Sequence, residues 1–174
     1  MIALVPLEDK TLVIRAPSLG LFNNPYQSIT RIRTFEERDL QKVMALVNEV
    51  FNETYDPNLY ISLSKEWPEG VMVAELDGEM IGFLLSTIQR PLQTRILILG
   101  IREGHRSLGI GRALMHSIIN RSTIRGHHSM TLEVRVSNER GQAFYSRLGF
   151  EVIGMIPDFY TDHESAFLLK KVLG

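Results

Sequence analysis

The chain has 174 residues, 44% of them hydrophobic, which is the size and apolar content of one compact domain with its own core. Nineteen basic residues against twenty acidic ones leave a net charge of -1, so no global field draws it to nucleic acid or an anionic membrane, and any anion site must be local. With no cysteine there is no disulfide framework, no thiolate metal site and no cysteine nucleophile, a composition that fits the cytoplasm.

The opening MIALVPLEDKTLVIRAPS lacks a basic leader and breaks its apolar runs at Pro6, Glu8, Asp9 and Lys10, which makes it a poor signal peptide. No apolar run reaches membrane-spanning length. Residues 1–28 read as an N-terminal extension: two short β-prone runs, IALV and TLVIRA, then turn and loop through PSLGLFNNPYQ. From residue 29, ITRIR alternates like a strand, and Thr34 with Glu37 fits a capping box. The helix that follows carries Leu40, Val43, Met44, Val47, Val50 and Phe51 on one apolar face. NETYDPNLYISLSKEWPEG holds two prolines and reads as loop with one short helix, Trp67 being either a lid or the anchor of a small cluster.

Two β-rich runs in VMVAELDGEMIGFLLSTI are joined by Asp77-Gly78, a strong hairpin signal. RILILGI is a further core strand, and GIGRALMHSIINRSTIRG a helix with Ile110, Leu114, Ile118 and Ile119 inward and Gly126 as its stop. In SMTLEVRV, Glu133 and Arg135 share one face of a strand, and Leu132, Val134 and Val136 the other. Asn138 is placed to cap the helix ERGQAFYSRL, which stops at Gly149, and FEVIGMI and SAFLLKKVL are closing strands around PDFYTDHE. The pattern predicts an α/β chain with a central sheet and a helix on each face.

The stretch EGHRSLGIGRAL places two glycines and two arginines between a strand and a helix. A strand, a glycine-bearing loop and a helix start present unpaired backbone N–H groups and the positive end of a helix dipole, which suits a phosphate or pyrophosphate. Gly109 and Gly111 remove side chains where a ligand approaches, and Arg106 and Arg112 add charge; the plainer reading is that the glycines only shape the turn. A Walker loop needs Lys and Ser/Thr where Arg112 and Ala113 stand, and a dinucleotide fingerprint needs Gly or Ala where Leu114 stands.

Arg106, Gly109 and Gly111 meet the pattern Arg-x-x-Gly-x-Gly, and Asn138, Ala143, Tyr145, Gly149 and Phe150 meet a second pattern, Asn-(x)n-Ala-x-x-Tyr-x-x-x-Gly-Phe. On these residues the chain resembles the GCN5-related N-acetyltransferase (GNAT) superfamily over residues 29–172, and most of all its ribosomal-protein alanine and archaeal N-terminal acetyltransferase branch. The resemblance implies a single GNAT-like domain over 29–174 of α+β type, with a mixed, mostly antiparallel central sheet and helices on both faces. It implies acetyl-CoA as co-substrate and no metal. The pyrophosphate would be held by the amides of Ser107, Leu108, Gly109, Ile110, Gly111 and Arg112 beside Arg106, with Asn138 and Tyr145 along the cofactor and an amide near Ile101 at the thioester oxygen. His105 stands where relatives carry an aromatic residue, and Glu103 where many carry proline.

Acetyl transfer to an amine needs a deprotonated amine, a polarised carbonyl and a proton for the leaving thiolate. Glu133 and Tyr145 are the candidates, and the resemblance makes Glu133 the base and Tyr145 the acid. The other reading of Glu133 is a strand carboxylate paired with Arg135; that of Tyr145 is a hydrogen-bonded aromatic at the core edge; and Asn138 serves as a cap in either case. Arg95 aligns with a histidine that assists in some relatives. His105, His116, His127, His128 and His163 show no metal-ligand spacing, and His127-His128 reads as a solvated turn.

By the same resemblance, FNETY supplies Phe51, Glu53 and Tyr55 to the acceptor's first residues, with Asn52 where several relatives have proline. DFY supplies Tyr160, Phe159 replacing one tyrosine of a pair. The implied acceptor is a polypeptide N-terminus, such as that of a ribosomal or nascent protein, with no nucleic acid or membrane partner and the need for an auxiliary subunit open. Acetylation of a lysine or small amine, or acyl-CoA binding without turnover, are the alternatives.

Overall fold

The computed structural model describes residues 4–6, 12–15, 29–89 and 92–174, so the loop reading of PSLGLFNNPYQ lies outside the described residues. The strands are β1 (Leu4–Pro6), β2 (Leu12–Arg15), β3 (Ile29–Thr34), β4 (Val71–Leu76), β5 (Glu79–Gln89), β6 (Gln93–Ile101), β7 (Ser129–Arg135), β8 (Glu151–Ile156) and β9 (Ala166–Val172). The helices are α1 (Leu40–Phe51), α2 (Pro57–Glu66), α3 (Ile110–Ile124) and α4 (Glu139–Arg147). This is one α/β domain with a single sheet, ordered β1-β2-β3-β4-β5-β6-β7-β9-β8. β6 and β7 run parallel, with α3 as the crossover that a parallel pair requires, while the β1–β2, β2–β3, β3–β4, β4–β5, β7–β9 and β8–β9 pairs are antiparallel.

The domain contains two compact units, Met1–Leu85 with Ile98–Ile118, and Ser86–Leu97 with Ile119–Gly174. In the first, Val71–Ala74 and Met80–Leu85 are buried without alternation, so both faces of β4 and β5 are covered. Asp77 and Gly78 take φ of 50° and 84°, the paired left-handed turn that fits the twist of a two-residue hairpin. α1 buries Val43, Leu46 and Val47, while Phe51 at its end is 40% exposed. The predicted box of Thr34 and Glu37 is not the one formed. A 3-10 turn at Glu37–Asp39 precedes α1, and the reciprocal capping pair is Glu36 with Asp39. Asp39 is kept there by Arg33, whose Nη atoms donate to it at 2.6 and 2.9 Å while also pairing with Glu75 on β4. Burial opposes ionisation of Asp39, yet these bonds and the Glu36 N–H hold its carboxyl below the usual range. Trp67 is 2% exposed at the end of α2, an anchor rather than a lid.

In the second unit β7 lies between β6 and β9, with Met130, Leu132 and Val134 buried and Glu133 and Arg135 on the other side as alternation requires. The polar centre of this unit is Thr94, whose Oγ1 lies 2.7 Å from Ser122 Oγ and 2.7 Å from His127 Nδ1. All three are buried, so His127 is not in a solvated turn. It follows the Gly126 stop (φ 84°), and the turn carries its ring inward to Thr94.

Candidate active site

The glycine loop begins where β6 ends. Gly100 is required there, since a Cβ would come within 2.6 Å of the Phe83 ring and 3.0 Å of Phe51. Ile101 follows, its carbonyl accepting from Arg106 Nε at 3.2 Å, and the N–H of Arg102 is spent on the Ile81 carbonyl at 2.8 Å. Ser107 and Gly109 both adopt left-handed backbone, φ 68° and 83°. These two reversals turn the chain into α3, and the Ala113 N–H closes on the Gly109 carbonyl at 3.0 Å. Gly109 is therefore the helix cap, and the N–H groups of Ile110, Gly111 and Arg112 fall in the first turn, where no intrahelical acceptor exists. Gly111 sits on helical backbone that any residue adopts, so the backbone itself does not ask for glycine there. Leu108 is half exposed, and Arg112 Nε meets His116 at 3.3 Å. First-turn amides at the positive end of a helix dipole are an arrangement that can hold an anion, and Arg106 lies in the same loop.

The last residue of α1, Phe51, and the α1–α2 connection with Glu53 and Tyr55 also belong to the first unit. Asn52 ends α1 in the left-handed region at φ 54°, its N–H on the Asn48 carbonyl at 2.8 Å. Proline cannot take that φ, so asparagine sets a different exit from the helix than a proline would. Tyr55 donates its hydroxyl to the Glu53 carboxylate. Phe51 meets Phe83 edge to face, centroids 6.2 Å apart.

The second unit carries Glu133, Asn138, Tyr145 and Tyr160. Glu133 pairs with Arg95, not with Arg135: Arg95 Nη2 lies 3.0 Å from Oε1 and Nε 3.1 Å from Oε2. The parallel register sets Arg95 opposite Thr131, so Glu133 is its same-face diagonal neighbour. Asn138 caps α4, its Oδ1 accepting from the Gly141 N–H at 2.8 Å. A Cβ on Gly141 would come within 2.6 Å of that amide, which makes glycine part of the cap. Seven residues on from Asn138, Tyr145 contacts Phe144 and Phe150 at 5.1 and 5.9 Å between centroids. Burial, and then the neighbouring Tyr160, push its phenol well above the ordinary tyrosine value. Tyr145 is therefore a hydroxyl that keeps its proton.

Sequence reasoning missed the partners of Arg135. Its Nη1 donates to Asp162 at 2.8 and 3.0 Å and to Glu164 at 2.7 Å, and its guanidinium carbon lies 3.9 Å from the centre of the Tyr160 ring. The one available signal was the pair of acids following DFY, but only the fold sets them beside β7.

Residues 35–150 match the model of the acetyltransferase (GNAT) family. The chain is 33% identical over 141 residues to an uncharacterised N-acetyltransferase of Methanocaldococcus jannaschii, covering 80% of this chain and 90% of that one. It is 28% identical over 151 residues to an N-alpha-acetyltransferase of Sulfurisphaera tokodaii, with the same coverage. Ard1 from Thermoplasma volcanium superposes with a TM-score of 0.79 at 30% identity, over 83% of this chain and 98% of that one. With these likenesses added to the glycine loop before α3 and the helix that Asn138 caps, the chain belongs to the GNAT family and is an N-acetyltransferase.

Proposed function

We propose that this enzyme transfers the acetyl group of acetyl-CoA to the N-terminal α-amine of polypeptides. The observation that carries the chemistry is Tyr145, a phenol on the helix that Asn138 caps, packed against Phe144 and Phe150 and protonated at neutral pH. The choice of acceptor is supported by the relative named N-alpha-acetyltransferase and by the tyrosines at 55 and 160. Acetyl-CoA's pyrophosphate would be held by the amides of the first turn of α3 and the loop from Ser107, with Arg106 adding charge.

In the transfer the amine nitrogen forms the new bond to the acetyl carbon and the carbon–sulfur bond breaks. The amine gives up its proton to Glu133, directly or through a water. Tyr145 gives its own to the departing thiolate and is later reprotonated from solvent. Arg95 occupies two of the roughly four lone-pair sites of Glu133, which fixes the carboxylate plane and leaves the outer sites for the amine or water. An amine of pKa about 8 needs less help at neutral pH than a lysine of about 10.4, so this base suits an α-amine.

The deciding experiment incubates the enzyme with acetyl-CoA and peptides varied at residue one, plus an α-blocked peptide with a free lysine, read by mass spectrometry. Acetylation confined to free α-amines is the expected result. Preferred modification of the blocked peptide's lysine would overturn the proposal.

A further inference from the structure

The segment between β8 and β9 is tied by more than its own backbone. Asp158 and His163 both take left-handed backbone, φ 50° and 64°, at non-glycine residues. Such positions persist only where surrounding contacts over-determine them. Here the Tyr160 N–H donates to the Glu164 carbonyl at 3.1 Å and the His163 N–H to the Tyr160 carbonyl at 2.9 Å, so the turn closes on Tyr160 itself. The outside hold is Arg135 on β7. One nitrogen binds both Asp162 and Glu164, the plane of charge lies over the Tyr160 ring, and the other Glu164 oxygen accepts from the Ser137 N–H at 2.8 Å. Arg135 itself stands in a paired strand, opposite Ala166 in the β7–β9 ladder, and the Val136 N–H continues the pairing to the Ser165 carbonyl at 3.2 Å.

We infer that Arg135 is a positioning residue for the acceptor, fixing the Tyr160 ring by stacking on it while two carboxylates pin the guanidinium; this rests on the proposed α-amine reading, in which Tyr160 meets the peptide. A long, freely rotating tyrosine would lose conformational entropy each time a peptide bound, and Arg135 removes that cost beforehand. Lysine does not replace it, because an ammonium can meet the two carboxylates but offers no planar group to lie over the Tyr160 ring. Arg135 touches no reacting atom on this reading, so its effect falls on peptide KM and leaves kcat and acetyl-CoA KM nearly unchanged.

The test compares Arg135→Met, Arg135→Lys, Tyr160→Ala and the double variant Arg135→Met/Tyr160→Ala, with thermal midpoints recorded for each. A 19F-labelled tyrosine at position 160 gives a readout that needs no turnover. Both Arg135 variants are expected to raise peptide KM by about two- to tenfold, a range set by exposed cation–π and charge-assisted contacts. The double variant should match Tyr160→Ala alone, and Arg135→Met should shift and broaden the fluorine resonance. Unchanged KM and resonance in folded Arg135 variants, with Tyr160→Ala still raising KM, would overturn the inference and leave the α-amine reading standing. Additive losses in the double variant would also overturn it. A parent enzyme that prefers internal lysines, with Tyr160→Ala indistinguishable from it, would defeat the reading and Arg135's acceptor role together.

Discussion

Arg95 grips both oxygens of Glu133, at 3.0 and 3.1 Å, across the parallel β6–β7 pair. The carboxylate proposed as base therefore has a fixed plane. Glu133→Gln should lower kcat by about 10²- to 10⁴-fold, the usual worth of a general base, and most at low pH where less amine is spontaneously free. Arg95→Met keeps the carboxylate and loses only its orientation, so its kcat should fall less. Equal losses in the two variants, in a full pH series, would show that Arg95 does more than orient.

Tyr145→Phe removes a proton donor while keeping the ring that packs on Phe144 and Phe150. We expect kcat to fall across the whole pH range with acetyl-CoA affinity unchanged. Because burial raises the phenol above its ordinary value, Tyr145 stays protonated through pH 10 or so, and the parent enzyme should show no alkaline loss of kcat assignable to it. An alkaline limb near pH 9 that vanishes in Tyr145→Phe would contradict this.

Gly111→Val should weaken acetyl-CoA binding strongly, since it places a branched side chain beside the first-turn amides. Far-UV circular dichroism should change little, the position being ordinary helix in α3. Isothermal titration with CoA checks it, and native affinity in a folded variant removes the pyrophosphate assignment.

How much of this was legible in the sequence depended on distance along the chain. The Asp77-Gly78 hairpin, the Asn138 cap and the glycine-started α3 rest on neighbours within a few residues, and all three stand where the sequence put them. The α1 entry misled because a 3-10 turn moved the cap to Glu36 and Asp39, and what keeps Asp39 there is Arg33 pairing with Glu75, 42 residues further on. The partner of Glu133 was out of reach for the same reason. Strand alternation put Arg135 on its face, but the parallel register, which no local pattern encodes, brought Arg95 instead. His127 followed a clear helix stop, yet only Thr94 and Ser122 reveal that it points inward.

His127 supplies a stability prediction. Burial, then the charges of Arg125 and His128, lower its proton affinity below the ordinary value of 6.5, so the unfolded chain takes the proton more readily than the folded one. Stability is therefore whole above about pH 6.5 and falls as pH drops through that value toward the lower folded one. The melting midpoint should decline on acidification from about pH 7 to 5, before the Arg33-paired carboxyl of Asp39 adds its own loss at lower pH. His127→Gln should flatten that upper stretch. A profile identical in parent and variant would mean His127 charges without cost.

The last prediction concerns selection of the acceptor. An α-amine enzyme can recognise the first backbone groups of a peptide with rigid phenols, each carrying a donor and an acceptor at its tip. Tyr55 already donates to Glu53, so what it offers a peptide is its hydroxyl oxygen, and the carboxylate beside it opposes an acidic first residue. Tyr160 is held by Arg135 at the guanidinium–ring distance of 3.9 Å. Tyr55→Phe and Tyr160→Phe should each raise peptide KM by about two- to tenfold, the worth of one hydrogen bond of roughly 0.5 to 1.5 kcal/mol, with acetyl-CoA affinity unchanged. Small or methionine first residues should outpace Asp and Glu. Glu53→Ala should narrow that gap by removing the negative charge, while Glu53→Gln separates charge from hydrogen bonding because its amide oxygen can still accept from Tyr55. If peptides starting with Asp or Glu react as fast as those starting with Met in the parent enzyme, Glu53 does not face the first-residue pocket.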